Sequence, residues 1–156
     1  MLNPLQEYIC DTCGQIIKSP SDGWVEWISE DNYSRSFRIT HQNSKSPLGG
    51  REGCYHHGSA SGRCDEDLHS FMKYLMPNLL TFIDIGPHHD PDGTYVQRVD
   101  KRSFAELARR LTIPYYEEAR LYWPQAQEDG LFDGANELTM YTNDFCMNLI
   151  KKYGKY

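Results

Sequence analysis

The chain has no apolar run long enough to cross a bilayer; its longest, around Leu75 to Ile85, is broken by Pro77, Asn78 and Asp84. Nor does it open with a basic stretch followed by an apolar one, since Asn3, Pro4 and Gln6 come straight after the first residues. The sequence therefore predicts a cytoplasmic chain that does not engage a membrane. Positive charge is scarce. The 156 residues carry 16 Lys/Arg against 22 Asp/Glu, a net charge of −6. Residues 1–99 hold 8 against 13 and residues 100–156 hold 8 against 9, so neither part is basic. That balance opposes non-specific attraction to polyanions. Cysteine is sparse and odd in number, at five. In a reducing compartment this excludes a disulfide framework and leaves ligands, redox groups or core residues. There is no glycine-rich phosphate loop, no nucleophile elbow and no internal repeat, so catalysis has weak support. What is present, 39% hydrophobic and 24% charged residues, is ordinary for a folded chain of one domain or two small lobes.

The most informative stretch is "YICDTCGQII", residues 8–17. Two cysteines separated by two residues present both sulfurs to one ion from a single turn, and Gly14 relieves the strain. Zinc takes four such nitrogen or sulfur ligands in tetrahedral array. Two more must converge from elsewhere, and the candidates are His41, Cys54, His56, His57 and Cys64. Cys54, in a glycine-flanked loop, is the preferred third ligand. His41, at the end of the "FRIT" strand, is the preferred fourth, with Cys64 a close rival and His56 and His57 still open. The set Cys10, Cys13, His41 and Cys54 around a structural Zn2+ is the expectation. A thioredoxin-like couple would need a long helix after the cysteines, and "GQIIKSPSDG" reads as strand and turn. The opening stretch resembles the first knuckle of zinc-ribbon proteins over about the first 60 residues. It departs from them in having no second C-x-x-C.

Residues 1–64 form the expected zinc-knuckle, β-rich lobe, with strands at "GWVEWIS" (23–29) and "RSFRITH" (35–41). Residues 65–99 read as a helical connector and loop. Leu68, Phe71, Met72, Leu75, Leu79 and Phe82 recur at three- and four-residue intervals, Asp65 and Asp67 sit at N-cap positions, and Pro77 kinks the helix or starts a second one. Residues 100–156 form the third region. Asp100 or Ser103 caps "FAELARRL", Pro114 opens a second helix, and Asp133-Gly134 suggests a hairpin. Thr142 or Asn143 caps a final helix whose lysines fall in the last turn.

"FAELARRLTIPYYEEARLYWPQAQEDGLFDGANELTMY" resembles a winged helix-turn-helix. The resemblance implies a supporting helix at 103–111, a recognition helix at 115–128 and a wing at 131–141. It also implies DNA contact through Lys101, Arg102, Arg109, Arg110 and Arg120. Chemistry pulls the other way, because Glu117 and Glu118 would face phosphates and Pro124 would bend the reading helix. Elsewhere, "GPHHDPDG" gathers His88, His89, Asp90 and Asp92 in a turn-rich loop, the one basis for a metal-dependent nuclease. Cys146 reads as a core residue, and Trp24 and Trp27 likewise.

The whole reads as an α+β protein, similar to small bacterial zinc-knuckle proteins: a zinc-stabilised β-rich lobe followed by a helical, winged-helix-like one. The expected role is a non-catalytic binding or regulatory protein, one version of it a DNA-associated regulator. A second expectation is an adaptor that meets a protein partner or a second copy through acidic and aromatic surfaces. A third is the nuclease.

Overall fold

The computed structural model describes residues 1–58, 60–84, 86, 92, 98–134 and 136–154. The architecture is mixed α+β. The N-terminal knuckle is flanked by two short strands, β1 (Tyr8–Ile9) and β2 (Ile16–Ile17), paired antiparallel with Tyr8 opposite Ile17. A long hairpin follows, β3 (Gly23–Glu30) and β4 (Tyr33–His41). Its turn uses Asp31 and Asn32 at positive φ (49° and 59°), the backbone twist that two-residue hairpin loops require. β5 (Arg63–Asp67) pairs antiparallel with β3, and β6 (Arg98–Val99) runs parallel to β4, giving the order β5-β3-β4-β6.

The β3–β4 register slips by one residue between Glu26 and Ile28, and Ser36 takes φ 57° opposite this point. Such a bulge re-aims the backbone groups beside it. On one face of the hairpin, Val25 pairs with Ile39 and Gly23 with His41. Strand alternation thus puts His41 on the same side as the apolar core.

Helices cover that face. α1 (Leu68–Lys73) is capped by Asp67, whose side chain accepts the Ser70 N–H at 2.9 Å. The chain breaks at Tyr74 and restarts as α2 (Leu75–Thr81), with Pro77 in its first turn. α3 (Lys101–Thr112) is capped by Asp100, whose carboxylate accepts from Arg102 N–H and Ser103 N–H. Val25, Phe37, Ile39, Leu68, Phe71 and Phe82 form the first core with Leu107 and Leu111 of α3. A fully buried side chain of this size contributes about 1.5–3 kcal/mol.

The rest of the chain builds a second core. α4 (Tyr116–Ala119), a 3-10 turn at Arg120–Tyr122 and α5 (Trp123–Glu128) pack on α6 (Asn143–Tyr153), which Thr142 caps at the Phe145 N–H. Ala119, Ala126, Cys146, Leu149 and Ile150 are buried there, and Trp123 stacks on Phe132 with ring centroids 5.8 Å apart.

Several expectations need correction. The helix expected from Asp65 begins at Leu68, because residues 63–67 form the edge strand β5. Pro114 does not open the next helix; Tyr115 takes a left-handed turn (φ 68°) and α4 starts after it. The single recognition helix expected at 115–128 is three short turns. In the wing region, 131–141, the described residues form turns and a 3-10 turn at Thr139–Tyr141, with no strand among them. The Asp133-Gly134 turn lacks the flanking alternation of buried residues that would pair two strands.

Candidate metal centre

Cys10, Asp11, Thr12 and Cys13 turn sharply between β1 and β2. Gly14 closes the turn by donating its N–H to the Cys10 carbonyl at 2.9 Å, and Cys10 N–H donates to the Gln15 carbonyl at 2.9 Å. Gly14 sits at φ 72°, where a side chain would be strained. The knuckle docks on the free edge of β4 through Asp11. Its backbone N–H donates to the Ile39 carbonyl at 2.8 Å, while its carboxylate accepts the Ile39 N–H at 2.7 Å. Two residues further along β4 stands His41.

His41 is 6% exposed. Its Nε2–H donates to the Ile16 carbonyl at 3.3 Å, which leaves Nδ1 with its lone pair 3.5 Å from the Cys13 sulfur. A backbone partner on one ring nitrogen thus sets the other as donor to an ion.

Cys54 arrives from the loop between β4 and β5 and is fully buried. The Ser46 hydroxyl donates to its sulfur at 2.9 Å. Gly53, at φ 52°, leaves the room that Asn43 and Ser46 occupy. Just beyond Cys54 the loop is pinned from beneath. The Glu26 carboxylate, wholly buried, accepts the backbone N–H of His56 and of His57 and pairs with Arg63 Nε at 3.0 Å. His57 donates to the Ser36 carbonyl at 2.8 Å, the group turned outward by the β4 bulge.

The three sulfurs and the imidazole nitrogen all lie within 4.8 Å of one another, and the cluster can hold a metal ion. The chemistry of the set fits. A tetrahedral ion bound at about 2.3 Å by sulfur and about 2.05 Å by nitrogen separates a sulfur from a nitrogen ligand by about 3.5 Å. Cys13 and His41 stand at that spacing. Burial, with the Cys10 and Cys54 thiols alongside, pushes the Cys13 thiol up to about 12. Such crowding disfavours thiolates until a cation joins them. All five cysteines are free thiols.

The rival ligands lie elsewhere. Cys64 sits on β5 opposite Trp27, with its thiol directed to the Gly62 carbonyl at 3.6 Å. The His57 ring is committed to Ser36, and neither His56 nor His57 joins the cluster. Cys146 is buried in the second core, where burial pushes its thiol up to about 11. His88, His89 and Asp90 lie outside the described residues; Asp92 is in an exposed turn.

The cationic residues expected on one face are dispersed. Lys101 and Arg102 are exposed at the start of α3, and Arg109 pairs with Glu106 while lying over the Tyr141 ring, 4.4 Å from its centroid. Arg110 is 3% exposed. Its guanidinium donates to Glu117 (2.7 and 2.9 Å), to the Asp11 carboxylate (2.6 Å) and to the Ile9 carbonyl (3.0 Å). Burial opposes that charge, and Glu117 and Asp11 more than offset it, raising the Arg110 pKa. Arg120 joins the same group, 3.1 Å from Glu117 and 3.7 Å from Asp11. Ile9 N–H in turn donates to Glu117 at 2.8 Å. Glu117 and Glu118, expected to face phosphates, are buried.

Sequence reasoning missed this network and Glu26. The one readable signal was Asp11, a carboxylate placed inside the C-x-x-C turn.

No family model, no curated protein and no solved structure matches this chain. Among the described residues no helix is long and apolar enough to cross a membrane.

Proposed function

We propose that the chain is a non-catalytic binding module built around a structural Zn2+ held by Cys10, Cys13, His41 and Cys54. One observation carries the reading: four donors, three of them thiols, converge from three separate segments of chain. Four protein ligands fill a tetrahedral zinc, whereas a catalytic zinc keeps a position for water or substrate. Three sulfurs also favour zinc over calcium or magnesium, which take oxygen ligands. In zinc-finger peptides such sites contribute on the order of 10 kcal/mol to folding. That is ample to hold strands of two residues in place.

Binding to a protein partner, or to a second copy, is favoured over DNA. The net charge of −6 and the burial of Arg110 both count against a phosphate-binding face. Free thiols suit a reducing compartment such as the cytoplasm.

Metal analysis of the chain purified without added metal tests this reading. The expected result is about one zinc per chain, lost in Cys10→Ser together with the folding of the first core. A metal-free preparation of the wild-type chain that melts at the same temperature as the zinc-loaded one would refute it.

A further inference from the structure

A groove of about 540 Å³ lies beside the knuckle, where β1 and β2 meet the turn after α4. Its apolar walls include Ile9, Ile16, Leu121 and Tyr122. Ile16 and Leu121 are 47% and 49% exposed, large aliphatic side chains left facing water in one cleft. The side chains in the lining that carry a charge at neutral pH are Glu7 and Glu118, both acidic.

Glu118 is unusual. It is 4% exposed, yet only one of its oxygens has a partner, the Leu2 N–H, and Oε1 has none. No Lys, Arg or His among the described residues pairs with it. The contrast is its neighbour Glu117, equally buried, which is held by two guanidinium groups. A buried carboxylate without a cation is costly, and the cost is recovered when a cation is brought to it. Among the described residues no cation lies within ion-pair distance of Glu118, the Met1 amino group at the groove included.

We propose that this groove binds a segment of a partner protein in which a Lys or Arg side chain is flanked by aliphatic ones. The aliphatic residues cover Ile16 and Leu121, and the cation approaches the acidic lining at Glu118 and Glu7. A cleft open to solvent suits a length of chain more than an enclosed small molecule. The proposal deepens the binding-module reading and rests on it, because Ile9 and Ile16 are positioned by the strands that bracket the metal knuckle.

The test is an amide chemical-shift titration of the full, metal-loaded chain with the peptide acetyl-Gly-Leu-Lys-Leu-Gly-amide and its glutamate counterpart. The lysine peptide is expected to shift Ile9, Ile16, Leu121 and Tyr122 saturably, and the glutamate peptide to leave them unmoved. Glu118→Gln should weaken binding about tenfold or more, the effect of losing one favourable charge contact of ordinary strength. Leu121→Ser, at an exposed position that spares the fold, should weaken it as well. The proposal is overturned if the lysine peptide shifts nothing, or if shifts scatter over the acidic surface and are unchanged in both variants. It is also overturned if these four amides broaden with protein concentration alone, which would make a second copy the occupant. Wild-type protein that holds no metal yet gives the groove shifts would defeat the scaffold reading and spare this one.

Discussion

The two cores solve the same problem by different means. The first spreads thirteen buried residues over a twisted sheet, α1, α2 and α3, and two of them are the ligand candidates Cys10 and Cys54. Its first two strands are two residues each, too short to hold a knuckle by hydrogen bonds alone. Among the described residues the second core has six buried side chains and no sheet, and it is packed by aromatic rings around Trp123, Phe132, Tyr141 and Phe145. Rings pack the first core too, through Trp27, Phe37, Phe71, Phe82 and Phe104, but among the described residues it alone carries a cluster that can hold a metal ion. The seam between the two cores uses neither: Asp11, Arg110, Glu117 and Arg120 join the knuckle to α3 and α4 by buried ion pairs. The position of a residue inside the metal turn is therefore felt in the helices after α3.

Breaking the first region should have the largest effect. Removing the metal with a chelator, or making Cys54→Ser, is expected to unfold the first core, since the loss exceeds much of an ordinary domain's margin of about 5–15 kcal/mol. Hydrogen exchange should show Val25 and Ile39 losing protection while Leu149 and Ile150 keep part of theirs. Cutting the seam comes next. Arg110→Met leaves Asp11 and Glu117 with Arg120 as their remaining cation and should cost about 3 kcal/mol in urea unfolding. A cost below about 1 kcal/mol would mean that the two cores are not coupled through it. Within the second core, Trp123→Ala should cost about 2–3 kcal/mol and leave metal content unchanged. Glu26→Ala sharpens the contrast from the other side: it should weaken metal affinity about tenfold to a hundredfold in competition with a chelator, because the loop after Cys54 loses its anchor. The smallest effect belongs to Asp100. Hydrogen bonds from Ser103 hold its carboxyl below the usual range. A depressed folded-state pKa adds stability above the unfolded value of about 3.9 and loses it as pH falls through the folded one. Asp100→Ala should remove about 1 kcal/mol at neutral pH, and the difference from wild type should shrink in acid.

Much of this was legible because local chemistry is local. The C-x-x-C turn with its glycine, the hairpin strands, the Asp67, Asp100 and Thr142 caps and the break near Pro77 follow from residues within a few positions of one another. His41 was placed beside the knuckle by its position at a strand end, and the structure brings it there through Asp11 and Ile39. What escaped depends on distant partners. β5 is acid-rich and gains its strand form only by pairing with β3. Glu117 reads as a carboxylate set against phosphates until Arg110, seven residues earlier, is seen buried beside it. The wing failed because a turn dipeptide such as Asp133-Gly134 marks a reversal of the chain without specifying strands on either side.

X-ray absorption at the bound metal is the most direct test of the central claim. A closed scaffold site predicts zinc with three sulfur neighbours near 2.3 Å and one nitrogen near 2.05 Å, and no further light ligand. A water oxygen in the first coordination sphere, or fewer than three sulfurs, would contradict it and return a catalytic role to the centre.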